Sequence, residues 1–301
     1  MAETLEALSH RIDSFHSVRG IVHAMKAMAA VNATSYEEAA RNIDAYRETV
    51  LDGLATFLRC VGPLAGRQPQ TRRHVVVPLG SDHGLCGNYN EALALHARQT
   101  LPEADDLRVL CVGAQLEDAL LGEGLHPDAT LFPAANTDGI ARLAGTLVAR
   151  LNDLSAEADI AVTLVFTERM ENGQHRPVTR KLLPLDPVML KDLARRPRSS
   201  TTLPMVTMKP EPLFAAIVRN LLFATLYRAI AEAMRTENAT RLVRMQQAEK
   251  SVDDRLEDLN ADMRGVRQTQ ITTELLDVIS GFEALQARDR KPKHGAAQVE
   301  G

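Results

Sequence analysis

Apolar residues recur every seven positions at both ends of the chain. In the first part the repeat passes through two runs, Leu8, Phe15 and Val22, then Tyr36, Ile43, Val50 and Phe57. No proline occurs before Pro63. A heptad repeat without proline predicts a long helix, here over residues 3–59, whose apolar stripe packs along another helix.

A second stripe lies near the carboxyl terminus, where no proline occurs between Pro212 and Pro292. It passes through Met245, Val252, Leu259 and Val266, with Leu256 and Met263 in the alternate seam. Past Val266 it shifts by one residue and resumes through Ile271, Leu275, Val278, Phe282 and Leu285. The pattern predicts a helix over residues 213–285 and, at the shift, a change of supercoil or of partner.

Between these helices the pattern changes to short apolar runs separated by helical segments. The runs are HVVVPLG, LRVLCVG, DATLFP, DIAVTLVFTE and HRPVTRKLLPL, and an Asn-Gly turn precedes the last one. Helical patterns occur at residues 88–100, 114–121 and 138–152. Alternating strands and helices predict a small α/β domain with a mostly parallel, Rossmann-like sheet. Residues 186–210, which are polar and rich in proline, are predicted to be a linker.

Length decides how these elements are arranged. A helix over residues 213–285 would be ~110 Å long, whereas a compact chain of this size would be only ~50 Å across. Such a helix needs a partner, and antiparallel pairing with the first helix is the simplest arrangement. The second helix would then extend past the first by roughly 25 Å, which leaves an apolar stripe for another protein to cover.

The predicted fold class is therefore α/β with long helices. The N- and C-terminal segments, residues 1–61 and 211–285, form an antiparallel two-helix coiled coil. A Rossmann-like α/β domain is inserted at residues 62–210, and residues 286–301 are predicted to be a disordered tail.

The composition excludes several classes of function. The formal net charge of -4 gives no electrostatic footprint for nucleic acid. Three separated cysteines and scattered histidines predict neither a disulfide framework nor a metal site. The amino terminus lacks the apolar stretch of a signal peptide, and no run approaches the ~18 apolar residues of a membrane span.

The stretch GSDHGLCGN, residues 80–88, follows the first predicted strand and carries candidate chemistry. Its glycines lack the spacing of a dinucleotide-binding loop, and no G-K-[ST] follows them. Cys86 would act as a nucleophile, with His83 as its base, only with a lowered thiol pKa and a third orienting group. We favour a tight glycine turn with a structural or interface cysteine, while phosphate binding and thiol catalysis stay open.

Three motifs resemble the gamma subunit of F-type ATP synthases. They are IVHAMKAMAAV at residues 21–31, SDHGLCGNYN at residues 81–90 and VRQTQITTELLDVISGFEAL at residues 266–285. They occur in the family's order and cover both predicted helices and the first loop of the α/β domain. By this resemblance the chain is identified as a divergent bacterial member of the family.

The resemblance implies a non-catalytic subunit without a cofactor, the central rotor shaft of a rotary ATP synthase. Such a shaft couples ion movement through a membrane ring to ATP synthesis or hydrolysis on the beta subunits. The coiled coil would stand inside the hexamer of alpha and beta subunits. The α/β domain would form a foot touching the epsilon subunit and the c-subunit ring, on the cytoplasmic face of the bacterial inner membrane.

The resemblance also implies roles for individual residues. Met25, Met28 and Cys86 would lie at the contact with the moving lever of a beta subunit, whereas Arg267 and Gln268 would hydrogen-bond a catch loop on one beta subunit. The tip held in an apolar sleeve would comprise Ile271, Leu275, Val278, Phe282 and Leu285. Unlike the family, the chain has VNATSYEE after its methionines, and residues 2–58 carry more acids than bases.

Two other hypotheses stay open at this level. One is an α/β enzyme that binds a nucleotide and uses the coiled coil for dimerisation. The other is a plain coiled-coil scaffold, which predicts a stable homodimer of the isolated chain.

Overall fold

The computed structural model of the chain describes residues 4–62, 73–101, 106–171, 173–197 and 205–289. The chain divides into two compact units. The terminal unit comprises Met1–Ala24 and Gln246–Gly301, and the central unit comprises Met25–Met245. Both long helices therefore contribute residues to both units.

Two long helices form the ends of the chain. Helix α1 spans Leu5–Val61, which is 57 residues, and helix α6 spans Pro210–Asp289, which is 80 residues. Helix α6 continues beyond Leu285, where the sequence analysis ended it. The remaining part of the predicted tail, residues 290–301, lies outside the described residues, and the predicted domain boundaries remain predictions.

In the terminal unit, α1 and α6 pack side by side in opposite directions. The buried seam consists of heptad residues from both helices: Leu8, Ile12, Val252, Leu256 and Leu259. At the surface, Arg19 contacts Asp253 at 2.7 Å and His23 contacts Glu249 at 3.1 Å. Residues later in α1 therefore contact residues earlier in α6, so the two helices are antiparallel, as the apolar stripes predicted.

The central unit is built around a five-stranded sheet. Its strands are β1 (Arg73–Pro78), β2 (Leu107–Val112), β3 (Ala129–Leu131), β4 (Ile160–Arg169) and β5 (His175–Leu183), in the order β3-β2-β1-β4-β5. Strand β5 runs antiparallel to β4, and the other pairs are parallel. The order of the parallel strands is that of a doubly wound sheet. The predicted fold class, an α/β domain inserted between two long terminal helices, is confirmed.

Helices cover both faces of this sheet. Helices α2 (Tyr89–Thr100) and α3 (Ala114–Gly122) pack on one face, where Leu93 and Leu116 are fully buried. Helix α4 (Thr137–Glu157) packs on the other face together with the central-unit parts of α1 and α6, as the burial of Tyr36 and Leu226 shows. Because both faces are buried, the parallel strands are continuous apolar runs in the sequence.

The stretch predicted to be a linker contains a helix, α5 (Pro187–Arg195). The Asp186 side chain caps it by accepting a hydrogen bond from Val188 N at 2.8 Å. Leu193 packs into a cluster with residues of α1 and α6, namely Leu51, Leu54, Ala55, Phe57, Leu58 and Leu221. The linker prediction was wrong here because proline-rich composition concealed an Asp-Pro helix start. Residues 198–204 of that stretch lie outside the described residues.

Helix α6 contains an 18-residue window with a mean hydropathy of 1.5 and at most two charged residues, of which 28% is buried. By length and composition this window resembles a membrane-crossing helix, and core helices of water-soluble domains share that composition. The sequence analysis found no such run because charged residues interrupt the apolar ones.

Candidate functional site

The glycine loop, residues 80–88, leaves the carboxyl edge of the sheet after β1. Asn90 ties it together, because its Oδ1 accepts from Ser81 N at 3.0 Å and its Nδ2 donates to Ser81 Oγ at 2.8 Å. Gly87 has a φ of +65°, and a Cβ there would overlap the guanidinium of Arg244. The loop is a tight turn packed against α6, which agrees with the interpretation favoured from the sequence.

Cys86 is a core residue of this loop, with 1% of its surface exposed. Its Sγ lies 3.5 Å from Ser81 Oγ and donates to the His83 carbonyl at 3.8 Å. Burial raises the pKa of the thiol, and the hydrogen bond from Ser81 opposes this shift. A buried thiol with a raised pKa is the opposite of an activated nucleophile. The exposed apolar side chain of the loop is Leu85, at φ 65°, which the sequence analysis did not single out.

Iodoacetamide is expected to modify Cys60 in the native protein at least about tenfold faster than the two buried cysteines. Cys60 is exposed, whereas Cys86 and Cys111 are buried, and burial raises the pKa of the Cys111 thiol to about 12. Peptide mass spectrometry after timed reactions measures the three rates, and the urea-unfolded chain, in which all three should react alike, is the control. Rapid labelling of Cys86 in the native chain would contradict its buried position.

A buried ion pair on α6 holds the loop. Arg241 Nη2 lies 2.7 Å from Glu237 Oε1, and the two side chains are 11% and 10% exposed. The same nitrogen donates to the carbonyl oxygens of His83 at 3.1 Å and of Gly84 at 3.4 Å. Burial raises the pKa of Glu237, and the charge of Arg241 opposes this shift. The sequence analysis missed the pair, although its i, i+4 spacing on a helix is a usable signal.

These contacts occupy the edge of the sheet where a doubly wound fold binds its ligands. Tyr89 lies there as well, and its hydroxyl donates to the Ala233 carbonyl of α6 at 3.0 Å. Loop and helix are therefore joined where a nucleotide would need an open crevice. Within the described residues, no group of three or more His, Cys, Asp or Glu side chains could hold a metal ion.

Beside the loop lies a pocket of about 430 Å³, here called the methionine pocket. The pocket is lined by side chains from α1, from the glycine loop and from α6, and by residues 133–135. The lining residues of the two helices and the loop are Met25, Met28, Ala29, Asn32 and Tyr36 of α1, Asp82 and His83 of the loop, and Met234, Glu237, Asn238 and Arg241 of α6. Met28 is 64% exposed at its rim, and Met25 is partly buried. The structure thus places Met25 and Met28 beside the glycine loop, while the Cys86 thiol points into the core.

The other predicted contact residues lie in the terminal unit, on the carboxy-terminal part of α6. Arg267 and Gln268 are exposed. The five apolar tip residues are each at least half exposed: Ile271 51%, Leu275 58%, Val278 70%, Phe282 62% and Leu285 62%. Soluble monomers rarely expose an apolar stripe of this kind unless another protein covers it.

The chain has an α/β domain inserted in the sequence between two long helices, and one of these helices has an exposed apolar end. These features define a subunit of a larger assembly. The chain belongs to the ATP synthase family, whose profile matches residues 4–285. It is 28% identical to the ATP synthase gamma chain of Phenylobacterium zucineum over 94% of this chain and 99% of the relative. It is 29% identical to the gamma chain of Granulibacter bethesdensis, with the same coverage.

Solved structures agree with the observed fold. A chain of the Euglena gracilis mitochondrial ATP synthase aligns with a TM-score of 0.64 and 14% identity over 99% of this chain and 98% of that chain. A chain of the Tetrahymena thermophila ATP synthase central stalk and c-ring aligns with a TM-score of 0.54 and 18% identity, over 76% and 99% of the two chains.

The prediction of a gamma subunit is confirmed by the family and by the names of its relatives. The chain functions as the central rotor shaft of an ATP synthase and is a non-catalytic subunit of that complex. The complex to which it belongs is associated with a membrane.

Proposed function

We propose that the paired parts of α1 and α6 stand inside a hexamer of alpha and beta subunits and turn there. The observation that carries this proposal is the apolar tip from Ile271 to Leu285, which is half exposed or more at each of its five stripe positions. An apolar sleeve formed by the hexamer would bury this stripe. Each buried side chain of this size contributes roughly 1.5–3 kcal/mol of transfer free energy.

Two contacts with beta subunits complete the proposal. The methionine pocket, with Met25 and Met28, meets the moving lever of a beta subunit, and Leu85 supplies the exposed surface of the glycine loop there. Arg267 and Gln268, exposed at the base of the tip, hydrogen-bond a catch loop on one beta subunit. Long polar side chains on a rigid helix suit a contact that must form and break in each turn.

The central unit serves as the foot of the shaft. It contacts the epsilon subunit and the c-subunit ring on the cytoplasmic face of a bacterial inner membrane, where the chain is a peripheral component. Ion movement through the ring then turns the foot and the helices together. Two long helices with a shared apolar seam resist twisting, which is what the transmission of torque requires.

Reconstitution tests this function. The full chain is combined with cognate alpha and beta subunits, and ATP hydrolysis is compared with that of alpha and beta subunits alone. We expect a stable complex with at least about tenfold faster hydrolysis, because an asymmetric shaft drives the catalytic sites through different states. Absence of a complex and of stimulation would contradict the proposal. If the chain were instead a nucleotide-binding enzyme, the isolated chain would bind nucleotide. Substitution of Gly84 and Gly87 would then abolish this binding.

A further inference from the structure

The β4–β5 hairpin is attached to α6 through both of its strands. Arg169 at the end of β4 pairs with His175 at the start of β5. The backbone N–H of Arg169 donates to Glu232 Oε1 on α6 at 3.1 Å. His175 Nδ1 lies 3.4 Å from Thr240 Oγ1, and this hydroxyl already donates to the Thr236 carbonyl at 2.8 Å. The imidazole is therefore the donor to Thr240.

More positive than negative charge surrounds the His175 imidazole. The charges that act on it come from the two elements packed against it: Arg169 from β4, and Glu232 and Arg235 from α6. The Glu232 carboxylate is already occupied, because Arg235 Nη1 donates to its two oxygens at 2.9 and 3.0 Å and the Arg169 N–H donates to one of them. An imidazolium would thus be the third cation around a carboxylate that already has its partners.

Helix α1 does not reverse this balance of charge. Glu37 of α1 lies 3.6 Å from the Nε atom of Arg235, but its other carboxylate oxygen pairs with Arg41 of α1 at 2.7 Å. The two α1 charges cancel each other. The net charge of the groups around His175 therefore stays positive when α1 is included.

A neutral imidazole is favoured at this position. His175 is partly buried, and burial lowers its pKa; the charges of Arg235 and Arg169 lower it further, while Glu232 opposes the shift. When the hairpin end opens, the imidazole returns to water and regains the ordinary histidine pKa of ~6.5. The opened state binds the proton more readily, so the attachment has its full strength above about pH 6.5 and weakens as the pH falls below that value.

We propose that protonation of His175 releases the end of the β4–β5 hairpin from α6. The sheet and the longer helix of the shaft are then less firmly joined in acid. Histidine suits this role, because its charge ordinarily changes between about pH 5 and 8. All the groups involved belong to the central unit, so the release requires no partner protein.

Amide hydrogen exchange of the full chain, followed by mass spectrometry, tests the proposal. The measured quantity is the protection of peptides that contain Arg169 and His175, at about pH 7.5 and about pH 5.5, corrected with the intrinsic exchange rates of the unfolded chain. We expect protection to fall by about five- to tenfold in acid, since the opened histidine takes up a proton with its ordinary pKa of ~6.5.

The change His175→Gln keeps a donor for Thr240 but does not titrate. The protection of the same peptides should therefore differ by less than about twofold between the two pH values. The matched control is His126→Gln, which removes an exposed histidine of the same unit outside the hairpin. This control should lose as much protection in acid as the unchanged chain.

Arg169→Gln is a second variant, chosen because the Arg169 side chain is exposed and its contact with Glu232 uses the backbone. Removing one of the two cations should reduce the loss of protection in acid to about two- to threefold. An unchanged chain that loses no protection in acid contradicts the proposal, and so does a loss that persists at full size in either variant. If His175→Gln does not fold, the result for Arg169→Gln decides.

Discussion

Replacing Ile271 and Val278 by aspartate is expected to abolish assembly with alpha and beta subunits while leaving the isolated chain as stable as before. Both side chains are already exposed, at 51% and 70%, so little native packing is lost in the isolated chain. Inside an apolar sleeve, two unpaired carboxylates would be stripped of water, which costs several kcal/mol for each ion. Complex formation should therefore fall by at least about a thousandfold.

Gel filtration of mixtures and ATP hydrolysis measure this effect, and thermal unfolding of the chain alone measures its stability. The matched control places aspartate at Thr273 and Ser280, which are also exposed and seven residues apart. Those positions lie about 180–200° around the helix from the apolar stripe, so the control should assemble far better. Equal assembly of the two double variants would show that the stripe is not the bound surface.

Gly113→Ala is expected to lower the free energy of unfolding by about 3 kcal/mol or more. Gly113 has a φ of +107°, which L side chains rarely adopt, and an added Cβ would lie 2.5 Å from the Ser81 carbonyl oxygen. Strain and collision occur in backbone that joins β2 to α3 beside the glycine loop, so neither is relieved by turning a side chain.

Urea unfolding followed by circular dichroism measures the change. Gly145→Ala is the control in the same unit, because a Cβ at that position of α4 meets nothing within 4 Å. This control should raise the unfolding free energy by about 0.5–1 kcal/mol through helix propensity. A Gly113→Ala chain as stable as the unchanged one would contradict the backbone conformation described here.

The conformation of the glycine loop was predictable from the sequence only in part. The sequence GSDHGLCGN favoured a tight turn, since its glycines lack the spacing of the known phosphate-binding loops, although phosphate binding stayed open. It did not reveal that the Cys86 thiol is buried or that Leu85 is exposed. Nor did it reveal the contact between Arg241 and the His83 carbonyl, which joins residues 158 positions apart. Helix α5 was missed for another reason, because its start signal stood in a proline-rich stretch.

The sequence by itself determined the two long helices, the strands of the sheet and the family, since heptad spacing, apolar runs and short motifs are all local patterns. The tertiary structure alone decided which polar groups are buried together. The methionine pocket brings together Tyr36, Glu237, Asn238 and Arg241, because α1, the glycine loop and α6 meet there. Burial and hydrogen bonding depend on segments distant in the chain, so no local pattern encodes them.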